Sequence, residues 1–353
     1  MWSFTKIYLV PLTVVVGYMI GGLWTFLTPF SVFVVMPFFD LITGQDMTNA
    51  PESYEKILES QISYRIITWI CAPLQIITVC WGLFMSTYGK ISVLEFMGIA
   101  VSVGVCSGVM GINVSHELAH RVNGKLEPFL SRFMLWSVLY MHWGLEHVVG
   151  HHRHVATPED PATAKLGQSF YAFWPQTVFG SFNSAWEFEA NRLQKKNLHG
   201  WSLKNKMVVF ILLQFILVLA VTLLFGGKGL IFLIIQSLVA ISLLEIVNYI
   251  EHYGLLRKME NGQYEKVKPW HSWNSSNRLT NQFLFNLQRH SDHHYKPGRR
   301  YQILRHFDES PQLPTGYAGM ILLAAIPPLW RSIMDPKIKA IRERENRPVK
   351  YSN

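Results

Sequence analysis

The sequence predicts an all-α polytopic membrane protein with about six transmembrane helices and a histidine-rich face on one side. Three observations predict it. Half of the 353 residues are hydrophobic and only 16% are charged, against about 25% in ordinary soluble domains. The mean hydropathy is positive, at +0.17. Several uncharged runs reach the roughly 20 residues that a membrane helix needs, and the histidines gather where such runs end.

Between Ile7 and Phe39 there is no charge, which is room for two spans broken at Gly21 and Gly22. A polar stretch from Asp40 to Arg65 follows. The third span is read from Ile66 to Gly89 and the fourth from Ser92 to Asn113. The fifth lies between Lys206 and Lys228, and the sixth runs from Gly229 to about Tyr249. Tight links at residues 88–90 and 226–228 pair these spans into hairpins. Phe133–Leu145 is short, and Pro311–Trp330 is interrupted by prolines and glycines, so both read as interfacial or re-entrant.

The chain thus divides into spans one to four (1–113), a polar segment (114–206), two further spans (207–250) and a second polar segment (251–353). On this topology 30 of the 32 Lys and Arg residues fall on one side, which the positive-inside rule makes cytoplasmic, with both termini. The net charge of +9 is therefore read as basic flanks of membrane helices, and nucleic acid is not an expected partner. Three cysteines without a CxxC pair leave no expectation of a disulfide or an iron–sulfur domain. No cleavable signal peptide is evident.

None of the 14 histidines precedes His116. His116 and His120 stand four apart, on one face of a helix, so both can reach one metal. His147 and His151 repeat that spacing, with His152 adjacent, and His290, His293 and His294 can converge in the same way. His252 ends the sixth span, where a lone histidine is ordinarily a dipole partner. These histidines exceed what one tetrahedral zinc takes and suit two metals of higher coordination. Spacing alone leaves iron, copper and zinc open. Metal-bound imidazoles usually donate their second N–H to a carboxylate, which makes Glu117, Glu146, Glu251 and Asp292 candidate outer partners. Glu245 is an acid inside a span, which is a functional candidate by default.

The runs HELAH (116–120), EHVVGHH (146–152), NYIEHYG (248–254) and LQRHSDHH (287–294) resemble the integral-membrane alkane hydroxylases, as do ATPEDPAT (156–163), HSWNS (271–275) and PTGYAG (314–319). That family is related to xylene monooxygenase and more distantly to membrane fatty-acid desaturases. The motifs cover roughly residues 110 to 337. The resemblance implies a non-haem diiron centre, two Fe ions held by His116, His120, His147, His151, His152, His252, His290, His293 and His294. It leaves His142, His154, His199, His271 and His306 outside the metal shell.

It further implies hydroxylation of the terminal C–H of an alkane with O2, and a buried channel for the hydrocarbon. The expected partners are a separate rubredoxin with its reductase, and membrane lipid, in a bacterial inner membrane. Side chains on the first, second and fourth spans are expected to set substrate length. The basic run from Arg289 to Arg305, with Arg299 and Arg300, offers either a face for an acidic carrier or a positive-inside anchor. The readings left open are a hydroxylase of alkyl aromatics or terpenes, a lipid desaturase, an intramembrane zinc protease suggested by HELAH, and a metal transporter.

Overall fold

The computed structural model describes residues 1–345; the end of the C-terminal tail expected to be cytoplasmic lies outside the described residues. Helix dominates, and the one sheet among the described residues is a two-stranded antiparallel ribbon, Met259–Glu260 against Gln263–Tyr264.

The apolar runs fold as expected. Helical stretches at Trp2–Ile20, Gly22–Thr43, Ile62–Tyr88 and Val93–Ala119 are long and apolar enough to cross a membrane. Lys206–His252 is a run of 47 residues, about 70 Å if straight and so twice a bilayer core. It is broken at Gly226, whose φ of 65° and ψ of −164° are open only to glycine at low cost. The two arms, 206–225 and 227–252, are the fifth and sixth spans. Between the third and fourth spans Ser92 and Glu95 form a reciprocal capping box, which ends the hairpin turn with its backbone donors satisfied.

The expected interfacial segments are also helical. Leu126–Ser137 and Met141–Glu146 replace the short run at 133–145. Tyr317–Ala324 and the helix that follows it are bent by 118° to one another. One helix was not anticipated. Phe170–Gln194 buries Phe173, Thr177, Ser181, Ala185, Glu189 and Leu193, one residue in every four, while Trp, Asn and Gln occupy the other faces. That stripe is a single helical face, and the helix lies against the last two spans.

The polar stretch after the second span is clamped onto the C-terminal segment. Asp40 accepts from the backbone N–H and hydroxyl of Thr280. Asn49 exchanges two hydrogen bonds with the backbone of His306, at 3.0 and 2.7 Å. The arginines expected as a docking face or an anchor are used internally. Buried Arg289 donates to the carbonyls of Leu304, Asp46 and Thr48. Arg299 holds Asp292 at 2.8 Å, and Arg305 holds Glu55 at 2.7 Å. Arg300 pairs with Glu127 at 3.0 Å, and Arg65 reaches the same carboxylate at 3.4 Å. These pairs tie residues up to 250 positions apart.

Glu127 shows what such a pair contributes. Burial alone would raise its carboxyl, but Arg300 and Arg65 hold it down, to about 2. A depressed carboxyl stabilises the fold above its unfolded value near 4.5, and that stability is lost as pH falls toward 2. Glu127→Gln is expected to destabilise the purified protein by about 1–2 kcal/mol at neutral pH, since two arginines lose their partner on a partly wet flank. A thermal-unfolding series should show the difference between variant and native shrink between pH 4.5 and 2. A constant difference across that window would show that Glu127 acts by packing instead.

Candidate metal centre and its cavity

The histidine clusters of four distant segments meet at the inner ends of the fourth and sixth spans. His116, His120, His147, His152 and His293 form one group, and His151, His252, His290 and His294 a second. Within each group one ligand-type nitrogen per residue lies within 4.8 Å of all the others. The groups adjoin, with the rings of His152 and His294 4.3 Å apart.

The partition between groups departs from the helical reading. His116 and His120 share a group, as their spacing predicts. His147 and His151 do not, because residues His147–His151 form a π-helical turn. A π turn brings i and i+5 into line where an α turn brings i and i+4. His147 therefore pairs with His152, their Nε2 atoms 3.1 Å apart, while His151 faces the other group. The three histidines of 290–294 divide as well: His290 and His294 stay together at 2.9 Å, and His293 faces His152 at 3.0 Å.

These nitrogen contacts fit metal ligation. The Nε2 atom of His147 faces those of both His120 and His152, and that of His290 faces those of His252 and His294. A neutral imidazole nitrogen is either a donor or an acceptor, so convergence of three is poorly served by hydrogen bonding and well served by a cation between them. The spacings are 2.9–3.1 Å. Two nitrogens about 2.1 Å from one ion stand about 3.0 Å apart at a right angle and about 3.4 Å apart at the tetrahedral angle. The observed spacing thus suits five- or six-fold coordination better than a tetrahedral zinc. Burial disfavours charge and holds His120, His147, His152, His293 and His294 well below the usual histidine range. Neutral imidazole is the ligating form.

Of the four carboxylates expected beside the ligands, Glu251 alone comes within reach of one among the described residues. Its oxygen lies 3.2 Å from His290 Nε2, and its other oxygen accepts the Tyr317 hydroxyl at 2.6 Å. Nε2 is the nitrogen that faces the group, so Glu251 stands on the metal side of His290 rather than behind it. Glu117 is engaged by Arg121 at 2.6 Å, and Asp292 by Arg299. Glu146 accepts from Ser184 at 3.2 Å, and burial, helped by nearby Asp160, raises its carboxyl to about 8.

The carboxylate that does stand behind a ligand is Asp160, which sequence reasoning passed over. It lies 2.9 Å from His151 Nδ1. Burial works against its charge, yet His151 and the Thr163 hydroxyl keep its carboxyl below the ordinary range. Its signal was present in the run ATPEDPAT. An aspartate two and three residues before Ala162 and Thr163 is fastened by its own turn, accepting from both at 3.0 and 2.6 Å.

The remaining histidines are otherwise engaged. His154 pairs with Glu159, His271 with Glu265, and His306 with Ser276 and Asp308. His199 accepts the N–H of Trp201. His142 packs between Tyr140 and Phe182. Glu245 accepts from the Tyr140 hydroxyl, the Thr177 hydroxyl and the Asn248 amide at 2.8, 2.7 and 3.0 Å, so its partners are neutral.

An apolar cavity leads from the second span to both histidine groups. Val32 and Phe33 line its membrane side, Val109, Ile112, Leu243 and Val247 its walls, and His116, His147 and His290 its inner end. The walls come from the second, fourth and sixth spans with residues from 280–287 and 317–321; the first span, expected to contribute, supplies none of the lining.

A family model described as fatty acid desaturase matches residues 93–324. Alkane 1-monooxygenase 2 of Pseudomonas aeruginosa is 45% identical over 320 residues, covering 90% of this chain and 85% of the relative. The alkane 1-monooxygenase of Acinetobacter baylyi is 42% identical, with 88% and 76% covered. The xylene/toluene monooxygenase hydroxylase component XylM of Pseudomonas putida is 30% identical, over 97% and 91%.

Proposed function

The chain belongs to the alkane 1-monooxygenases within the fatty acid desaturase family, and from that premise we propose a terminal alkane hydroxylase with a diiron centre. It is an integral-membrane oxidoreductase that acts on hydrocarbon with O2. The observation that carries the finer reading is the cavity: an apolar duct among membrane spans whose inner end touches His116 and His147 of one group and His290 of the other.

The nine histidines would hold the two irons, five on one and four on the other. When bound, that pair supplies the activation of O2, which imidazole side chains cannot provide. The protein's part is placement. An alkane partitions into the bilayer and enters between spans. The largely apolar walls hold it by packing and exclude water from the reacting end. Tyr317 holds Glu251 on the metal side of His290 at that end. The balance is R–CH3 + O2 + 2 e⁻ + 2 H⁺ → R–CH2OH + H2O. The electrons come from a separate carrier, which we take to be rubredoxin with its reductase. The chain's three cysteines lie on membrane helices, with Cys71 and Cys106 buried, and they form no metal group among the described residues.

On the positive-inside rule we take the centre and both termini to face the cytoplasm, with the spans in a bacterial inner membrane. The four segments 1–113, 114–206, 207–250 and 251–353 act as one unit, because the nine histidines come from 114–206 and 251–353 while 1–113 and 207–250 supply walls of the cavity that reaches them.

The test is reconstitution of the iron-loaded protein in lipid with rubredoxin, its reductase, NADH and an n-alkane, scored by gas chromatography. A primary alcohol that requires both O2 and rubredoxin supports the reading. An alkene would make the chain a desaturase, and a benzylic alcohol formed from an alkylbenzene in preference to an n-alkane would make it an aromatic hydroxylase.

The cavity also predicts a length limit. Leu243 lies eight residues before Glu251 on the sixth span, about 12 Å from the metal end by helical rise. Leu243→Trp should fill the duct there. Turnover of the longest accepted n-alkane is expected to fall about tenfold or more relative to the shortest, the scale of a steric mismatch in an apolar pocket. Equal loss across all lengths would show that the substrate does not extend past Leu243.

A further inference from the structure

Asn113 does not suit a duct built for alkanes. It lies on the cavity wall one helical turn before His116, with the side chain 8% exposed, and its amide nitrogen is buried without a partner. No hydrogen bond to its side-chain oxygen is formed among the described residues either. A buried amide without a partner costs roughly 1–3 kcal/mol. An alkane, with no polar atom, cannot relieve that cost.

A second amide lines the same cavity. Asn248 is 4% exposed and donates its amide nitrogen to Glu245 at 3.0 Å. Glu245 is itself fixed by the hydroxyls of Tyr140 and Thr177, and it has no exposed surface. This arrangement commits the Asn248 nitrogen to the protein and leaves its carbonyl oxygen without a hydrogen bond among the described residues. The wall therefore carries an unused donor, Asn113 Nδ2, and an unused acceptor, Asn248 Oδ1, whereas the hydroxyls of Thr280 and Tyr317 in the same lining are taken by Asp40 and Glu251. A hydroxyl group offers the complement, one acceptor and one donor on a single oxygen.

We propose that Asn113 and Asn248 form a hydroxyl-recognising subsite that binds a long-chain primary alcohol in preference to the corresponding alkane. This rests on the reaction proposed above, in which that alcohol is the product. Glu245, Tyr140 and Thr177 are positioning residues that hold Asn248 in register. The subsite gives the product a hold that the substrate lacks, so release of the alcohol becomes a step that the wall of the duct controls.

The test compares n-dodecanol with n-dodecane on the native holoprotein and on Asn113→Val and Asn113→Thr, a pair alike in shape that differs by one hydroxyl. Two readouts are taken: inhibition of n-dodecane turnover by added n-dodecanol, and retention of radiolabelled n-dodecanol by filtration, which needs no turnover. In Asn113→Val the affinity for n-dodecanol relative to n-dodecane should fall about tenfold, the weight of one hydrogen bond. Asn113→Thr should keep most of it. Asn113→Leu, nearer the native side chain in volume, repeats the comparison should the smaller residues not fold. Equal ratios in the native, Val and Leu proteins, or a parallel loss of alcohol and alkane, would overturn the subsite. A native chain that retains n-dodecanol through Asn113 but makes none from n-dodecane would leave the subsite standing and remove the proposed reaction.

Discussion

His252→Ala is expected to leave the purified protein with about one metal ion per chain in place of two, and without measurable hydroxylation. His252 is one of only four nitrogens in its group, and its Nε2 lies 3.1 Å from that of His290. Its loss leaves three, whereas the neighbouring group keeps all five. The effect should exceed the roughly 10–100-fold that loss of an outer partner costs, because a ligand itself is removed. The two carboxylates beside the group are already engaged, Glu251 by the Tyr317 hydroxyl at 2.6 Å and Asp160 by His151 at 2.9 Å. Elemental analysis of detergent-purified native and variant protein checks the count, and a reconstituted assay checks the activity. Two ions retained in the variant would separate His252 from the centre. A single zinc unaffected by the substitution would revive the protease that the HELAH run suggests.

Much of this architecture was legible because the bilayer permits so few solutions. Uncharged runs of about 20 residues have to be helices, since no water in the membrane satisfies backbone groups. Gly226 announced the turn between the last two spans, and its positive φ is the reason. The set of clustered histidines was equally visible. Their division between two groups was not, because it depends on the π turn at His147–His151, and no periodicity in the sequence distinguishes i+4 from i+5 there.

Contacts between distant residues were hidden for a simpler reason. Arg300 and Glu127 are 173 positions apart, and a run of arginines looks the same whether its partners are in the chain or on another protein. The helix Phe170–Gln194 escaped notice because Pro175, Gln176, Ser181, Asn183 and Ser184 interrupt its apolar residues. Its buried face carries Thr177, Ser181 and Glu189 among the apolar residues, so mean hydropathy understates it and only the four-residue repeat reveals it.

Asp160→Ala is the second substitution expected to act strongly, by about 10–100-fold on metal affinity and activity together. The carboxylate holds His151 Nδ1 at 2.9 Å, so the Nδ1 proton is fixed there and Nε2 is left as the ligating atom. Without it the ring can rotate or take the other tautomer, and the four-histidine group loses a ligand of defined direction. Asp160→Asn should be milder, because the amide oxygen can still accept from Nδ1 though without the charge.

Glu146→Gln makes a useful contrast. Burial already raises the Glu146 carboxyl to about 8, so it is mostly neutral at pH 7, and a neutral amide should change activity by less than about threefold. Competition against a chelator gives the metal affinity in each variant, and turnover is read in parallel. Equal losses in the two would mean that burial near the centre, rather than the hydrogen bond to His151, is what the metal requires. A loss confined to Asp160, with the weaker of the two ions released first, would place its action on the group that holds His151.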